Sequence, residues 1–194
     1  MGFLDALLGR RKVAGPAKVD RLFAISTAYV TLQTSFDINP RGVAGLVFQP
    51  LATSDFAQIV RDMEEIVRST GEETGTQVET RDDSYGYRWM ILRDPDVEDL
   101  TVGVNGVSEA LEGGGYGDRL LAAVFAFEDA GKQPIYFIYN YKRGAWYPFV
   151  PDSDPARPQQ RNVERELQLK AQIGAEMPIE PELERWFPLW GVPI

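Results

Sequence analysis

The chain has 194 residues, 44% of them hydrophobic and 25% charged, a size and composition suited to one well-filled globular core. Twenty Lys and Arg against 29 Asp and Glu leave a formal charge of -9, which repels phosphate and argues against nucleic acid as a partner. Cys and His are both absent, which excludes disulfides, thiolate zinc sites, thiol nucleophiles and imidazole chemistry.

Residues 1–15 read as an N-terminal segment distinct from the single domain expected over 16–194. Phe3, Leu4, Leu7 and Leu8 fall on one face of a helix, and Arg10, Arg11 and Lys12 follow at once. The first 22 residues hold five basic and two acidic side chains, net +3, while the remainder is strongly acidic. Such a segment suits the surface of an anionic membrane. Four partly buried apolar side chains contribute about 1 kcal/mol each, and three cations roughly 1 kcal/mol apiece near an anionic leaflet. Ordering ten residues costs on the order of 10 kcal/mol. The sum is near zero, so the expected contact with membrane or partner is weak and reversible. Docking on the chain's own core is the second reading, and an unstructured terminus the third. The charge follows the apolar stretch instead of preceding it, unlike a secretory signal, and no run of 18 apolar residues occurs. The expected location is the cytoplasm, with peripheral contact at the inner face of the cell membrane.

After the break at Ala14-Gly15-Pro16, a short helix is predicted over 19–25 and a strand over 28–35, where Thr, Val and Tyr cluster. A turn at Asn39-Pro40-Arg41-Gly42 leads to a second strand over 43–48. Phe56, Ile59, Val60, Met63, Ile66 and Val67 mark an amphipathic helix that Ser54 or Asp55 starts and Gly71 stops. Strands are predicted over 77–80 and 85–92, with a turn over 81–84. Asp96 caps the next helix, which ends at Gly113-Gly114-Gly115. Three antiparallel strands follow over 120–127, 135–141 and 145–150. Residues 151–158, rich in Pro and Asp, form an internal linker before a helix over 162–174. The fold class is therefore α+β: an antiparallel sheet built from strand pairs, with helices packed on one face.

The glycine cluster Gly113-Gly114-Gly115-Tyr116-Gly117 follows a helix and precedes a strand, the wrong order for a phosphate loop. The paired carboxylates Glu64-Glu65, Glu72-Glu73 and Asp82-Asp83 read as solvated charge, and no calcium-loop pattern or Ser-x-x-Lys occurs. No cofactor, metal or catalytic residue is expected. The segment over 139–149 places Lys142 and Arg143 at a hairpin tip above Tyr141 and Trp146. These four, with Trp186 and Trp190 of the tail, are the candidate partner-binding residues. A simply stable hairpin and a tail that caps the core are the plainer readings of the same residues.

Four stretches resemble the PspAB family, the phage-shock-protein-A-associated proteins. They are Met1-Gly-Phe-Leu-Asp-Ala-Leu-Leu-Gly-Arg10, Asp83-Ser-Tyr-Gly-Tyr-Arg-Trp89, Tyr141-Lys-Arg-Gly-Ala-Trp-Tyr-Pro-Phe149 and Glu182-Leu-Glu-Arg-Trp-Phe-Pro-Leu-Trp-Gly191. The resemblance implies a cytoplasmic, non-enzymatic accessory of an envelope-stress response. Its implied partners are the coiled-coil protein PspA and, second, an HtpX-type membrane protease. Phe3, Leu4, Leu7 and Leu8 would supply apolar contact to partner or membrane, and Arg10, Arg11 and Lys12 charge contact. The alternative is a ligand- or peptide-binding, chaperone-like module that uses the sheet face away from the helices; an open apolar groove there would favour it. An enzyme working through Lys, Tyr or a shifted carboxylate is the remaining class.

Overall fold

The structure is a computed structural model that describes residues 21–152 and 159–194, and of residues 70–74 the backbone alone. The N-terminal segment 1–15 with its seven candidate contact residues, and most of the 151–158 linker, lie outside the described residues.

Helix α1 covers Ile25–Phe36, where a strand is predicted. Ile25, Ala28 and Leu32 recur at the helical period and are fully buried, and that stripe overrides the β-preference of the Thr, Val and Tyr between them. Asp37, left-handed at φ 52°, ends the helix by donating its N–H to Leu32 O. Strand β1 then runs unbroken over Ile38–Phe48. The predicted turn at 39–42 is a bulge inside this strand. Pro40 pairs with Phe127 and Ala44 with Phe125, so four steps of β1 span two of its neighbour. Gly42 sits at φ +66°, and its carbonyl accepts from Asp94 N at 3.1 Å, so the chain kinks without leaving the sheet.

Helix α2 spans Ser54–Thr74, passing through Gly71 and stopping before Gly75 at φ +92°. Strands β2 (Gln77–Asp82) and β3 (Arg88–Arg93) follow, with the turn between them over 83–87 where 81–84 is predicted. Helix α3 covers Val97–Gly113, capped by the Asp96 carboxylate accepting from Glu98 N. Strands β4 (Leu120–Asp129), β5 (Pro134–Asn140) and β6 (Ala145–Phe149) complete the sheet, and α4 (Val163–Ile173) closes the helical set, capped by Asn162.

The six strands are ordered β2-β3-β1-β4-β5-β6, and every neighbouring pair is antiparallel. The period of two sorts their side chains. Leu46, Met90, Leu92, Phe125, Phe137 and Trp146 face the four helices, whose buried stripes complete the larger core. Val43, Val47, Ile91, Val124, Ile138 and Phe149 face the other way. The described helices thus gather on one face, as the α+β reading requires. The opposite face is also apolar, and the C-terminal tail lies over part of it.

That tail first runs beside β6. Trp146 N donates to Pro178 O at 2.9 Å and Glu180 N to Trp146 O at 2.8 Å, so residues 178–180 cover what would be an open sheet edge. It then crosses to the helix-free face, where Trp186 is buried and Leu189, Trp190, Val192 and Ile194 pack partly covered.

A candidate partner-binding cleft

The uncovered part of that face forms a cleft of about 490 Å³ whose walls come from three distant stretches of chain. The first is the β2–β3 turn. Asp83 organises it: Oδ1 accepts from Tyr85 N at 2.8 Å and from Tyr87 N at 2.9 Å, and Oδ2 accepts from the Trp89 indole at 2.9 Å. Gly86, at φ +84°, supplies the conformation this turn needs. The outcome is two presented phenols, Tyr85 65% exposed and Tyr87 38%.

The second wall is the β5–β6 turn. Asn140 Oδ1 accepts from Lys142 N at 3.1 Å and Arg143 N at 3.3 Å, and Gly144 takes φ +61°. Lys142 therefore stands exposed at the cleft mouth. Below it lies Tyr147, buried, whose hydroxyl donates to Phe187 O at 3.1 Å; burial pushes that phenol well above its ordinary range, partly offset by Arg161. The third wall is the tail. Trp186 stacks on Tyr147 at 6.3 Å between centroids, and Trp190 meets Phe149 edge-on at 5.0 Å. Phe187, 58% exposed, and Trp190 face the opening.

Lys142 and Trp190 line the cleft. Tyr141 and Trp146 point to the other side of the sheet, buried against the helices, and the Trp146 indole donates to Arg21 O at 2.7 Å. The alternation that places Tyr147 and Phe149 toward the cleft requires this, because one face of a strand takes every second residue. Trp186 is 3% exposed with its indole bonded to Glu180 O at 2.9 Å, so it floors the tail. Arg143 leaves the tip to pair with buried Glu180 at 2.9 Å. Tyr141, Trp146 and Trp186 are therefore buried parts of the fold, where the sequence suggested a contact surface, while Arg143 stays exposed beside its partner Glu180. Phe3, Leu4, Leu7, Leu8, Arg10, Arg11 and Lys12 lie outside the described residues.

Tyr85, Tyr87 and Tyr147 are cleft residues that sequence reasoning did not select. The first two had a signal: an Asp four residues before a Tyr, with Gly between, is an Asx-type turn that lifts aromatic side chains off a strand. The walls can stack on proline, aliphatic or aromatic side chains, while Lys142 attracts a carboxylate. Among the described residues no group of three acidic side chains is placed to hold a metal ion.

The model of one protein family, described as PspAB, PspA associated protein B, matches residues 1–194, the whole chain. No curated protein and no solved structure matches it.

Proposed function

The chain belongs to the PspAB family, which connects it with the phage-shock system, and from that premise we propose that it acts as a non-enzymatic accessory of the membrane-stress response by binding PspA through the helix-free cleft. The observation that carries this reading is convergence. Three of the four stretches that resemble the family (Asp83–Trp89, Tyr141–Phe149 and Glu182–Gly191) are far apart in sequence, yet all three wall one opening. Exposed Tyr, Trp and Phe around an apolar floor are the residue types that dominate protein interfaces. The cleft ligand is read as a segment of the partner that presents apolar side chains beside an acidic one, which Lys142 meets. Contact at the inner membrane face through residues 3–12 belongs to the same reading; no described helix is long and apolar enough to cross a membrane.

The test is titration of purified PspA with the full chain and with a Tyr85→Ala/Trp190→Ala double variant. Both side chains are at least partly exposed, so the variant should keep its fold while affinity falls about tenfold or more, since a truncated aromatic anchor costs 1.4 kcal/mol or above. Unchanged affinity in a variant that remains folded overturns the cleft as the PspA site. The same cleft also suits the chaperone-like reading, because it is an open apolar groove on the predicted face. Equal binding of PspA and of unrelated unfolded peptides would favour that second reading.

A further inference from the structure

The hydrogen-bonding groups of the helix-free cleft are unevenly divided. Its side-chain acceptors are engaged within the fold: Asp83 takes two backbone N–H groups and the Trp89 indole, and Asn140 Oδ1 takes Lys142 N and Arg143 N. Tyr147 donates its hydroxyl to Phe187 O. What remains on the walls donates. The phenols of Tyr85 and Tyr87, the Trp190 indole N–H, the Asn140 amide N–H groups and the Lys142 ammonium have no hydrogen-bond partner among the described residues. The last three can only donate.

A ligand that covers these groups must bring acceptors, because a donor sealed from water without one weakens binding roughly fivefold or more. Backbone conformations differ in what they bring. An α-helix bonds its carbonyls to its own N–H groups and shows a partner only those of its last turn. A polyproline II segment has no internal hydrogen bonds, so its carbonyls stay open, and each proline removes an N–H for which this cleft holds no free carboxylate or amide oxygen. Its preformed backbone also loses little entropy on docking against aromatic walls.

The tail of the same chain shows the pairing at work beside the opening. Phe187-Pro188-Leu189 lies on the helix-free face as neither helix nor strand. Tyr147 donates at 3.1 Å to the carbonyl of Phe187, the residue that precedes a proline and is thereby biased toward an extended conformation. The covered part of this face thus already accepts a proline-bearing stretch through a phenol–carbonyl bond. Charge adds a further requirement. Lys142 is the one cation on the described walls of the cleft, since Arg143 is paired with Glu180.

We propose that the cleft binds a proline-rich segment in the polyproline II conformation that carries an acidic side chain. Tyr85, Tyr87 and Trp190 donate to its carbonyls, its rings lie on the aromatic walls, and Lys142 with the Asn140 amide takes the carboxylate. This rests on the cleft being the binding site, as in the function proposed above, and not on PspA being the protein that supplies the segment.

The test titrates the full chain calorimetrically with the blocked peptide Pro-Pro-Leu-Pro-Glu-Pro-Pro-Leu-Pro. Beside it run the same peptide with lysine for its glutamate and a stapled helical peptide of equal leucine and glutamate content. The proline peptide should bind about tenfold tighter than the helical one, and the lysine exchange should cost roughly fivefold or more. Tyr85→Phe/Tyr87→Phe removes two exposed hydroxyls and no ring. It should weaken the proline peptide about tenfold and leave the helical peptide unchanged. No binding of the proline peptide up to about 1 mM overturns the proposal, as does equal or tighter binding of the helical peptide, or an affinity for the proline peptide that the double Phe variant retains. Titration of PspA against Tyr85→Ala/Trp190→Ala separates the two readings. A loss of PspA affinity, with the proline peptide no better than the helical one, overturns this proposal alone. Loss of the proline peptide with PspA affinity kept overturns PspA as the cleft ligand and supports the proline-rich segment.

Discussion

At the scale of single residues, two glycines three positions apart on α3 behave oppositely. A Cβ at Gly103 would collide with Leu92 Cδ2, which is itself fully buried, whereas one at Gly106 would enter open space. Gly103→Ala should therefore lower stability by about 1–3 kcal/mol, the usual cost of overpacking. Gly106→Ala should raise it by up to about 1 kcal/mol, because alanine is the better helix former and nothing must move. Urea midpoints of the two variants decide this; equal shifts of one sign would refute the placement of α3 against β3. Sequence could score both glycines only as helix-weakening, since nothing local distinguishes them. The same holds for Trp146 and Lys142, neighbours in a motif, one fully buried and the other exposed at the cleft mouth.

Among elements, legibility followed the strength of the period. Helices α2, α3 and α4 were readable because each repeats its apolar residues over several turns, with the cap Asp96 in place for α3, and strands β4 to β6 because each is a short apolar run bounded by turn residues. Helix α1 was not, because β-branched residues fill its exposed side. The bulge at Gly42 was not either, because a Pro-x-Gly bulge and a Pro-x-Gly turn look alike until both neighbouring strands are known. Nothing in the sequence announced that residues 178–180 would run beside β6 and be held by the Arg143–Glu180 pair. That pair makes a pH prediction. Burial alone would raise the Glu180 carboxyl, but the Arg143 hydrogen bond and Glu182 N outweigh it, so its value lies below the ordinary 4.5. A carboxylate depressed by folding contributes stability that is complete above pH 4.5 and is lost as pH falls through the folded value. Glu166, raised chiefly by burial against the opposing Arg161 bond, works in the other sense: its contribution is present below 4.5 and fades as pH rises through its folded value. Glu180→Gln should flatten the acid limb of the unfolding free energy between about pH 3 and 5, while Glu166→Gln should steepen the rise with pH. Urea titrations below pH 4.5 check the Glu180 slope and titrations above it the Glu166 slope, and a Glu180→Gln profile parallel to the parent's would break the assignment.

For the molecule as a whole, the decisive feature is a sheet with two apolar faces and described helices for only one. Val43, Val47, Ile91, Val124 and Ile138 are 4% exposed or less although no described helix covers them. The last eight residues supply much of what does. Leu189, Trp190, Val192 and Ile194 contribute about 1 kcal/mol each when half covered, and Phe187 O is the acceptor for the buried Tyr147 hydroxyl. An orphaned hydroxyl adds roughly 1–3 kcal/mol to the loss. Deleting 187–194 should therefore destabilise the protein by on the order of 5–7 kcal/mol, part of it recovered if the Tyr147 phenol reaches water. The truncated chain should also bind an apolar dye such as ANS and associate with itself, because a bare face of this size is an aggregation surface. Tyr147→Phe placed in the truncated chain separates the two contributions: it should restore the hydroxyl share and leave dye binding unchanged. A truncated chain that keeps its Tm and stays dark in dye would mean that the tail is not the cover of this face, and the cleft walled by Phe187 and Trp190 would lose its third side with it.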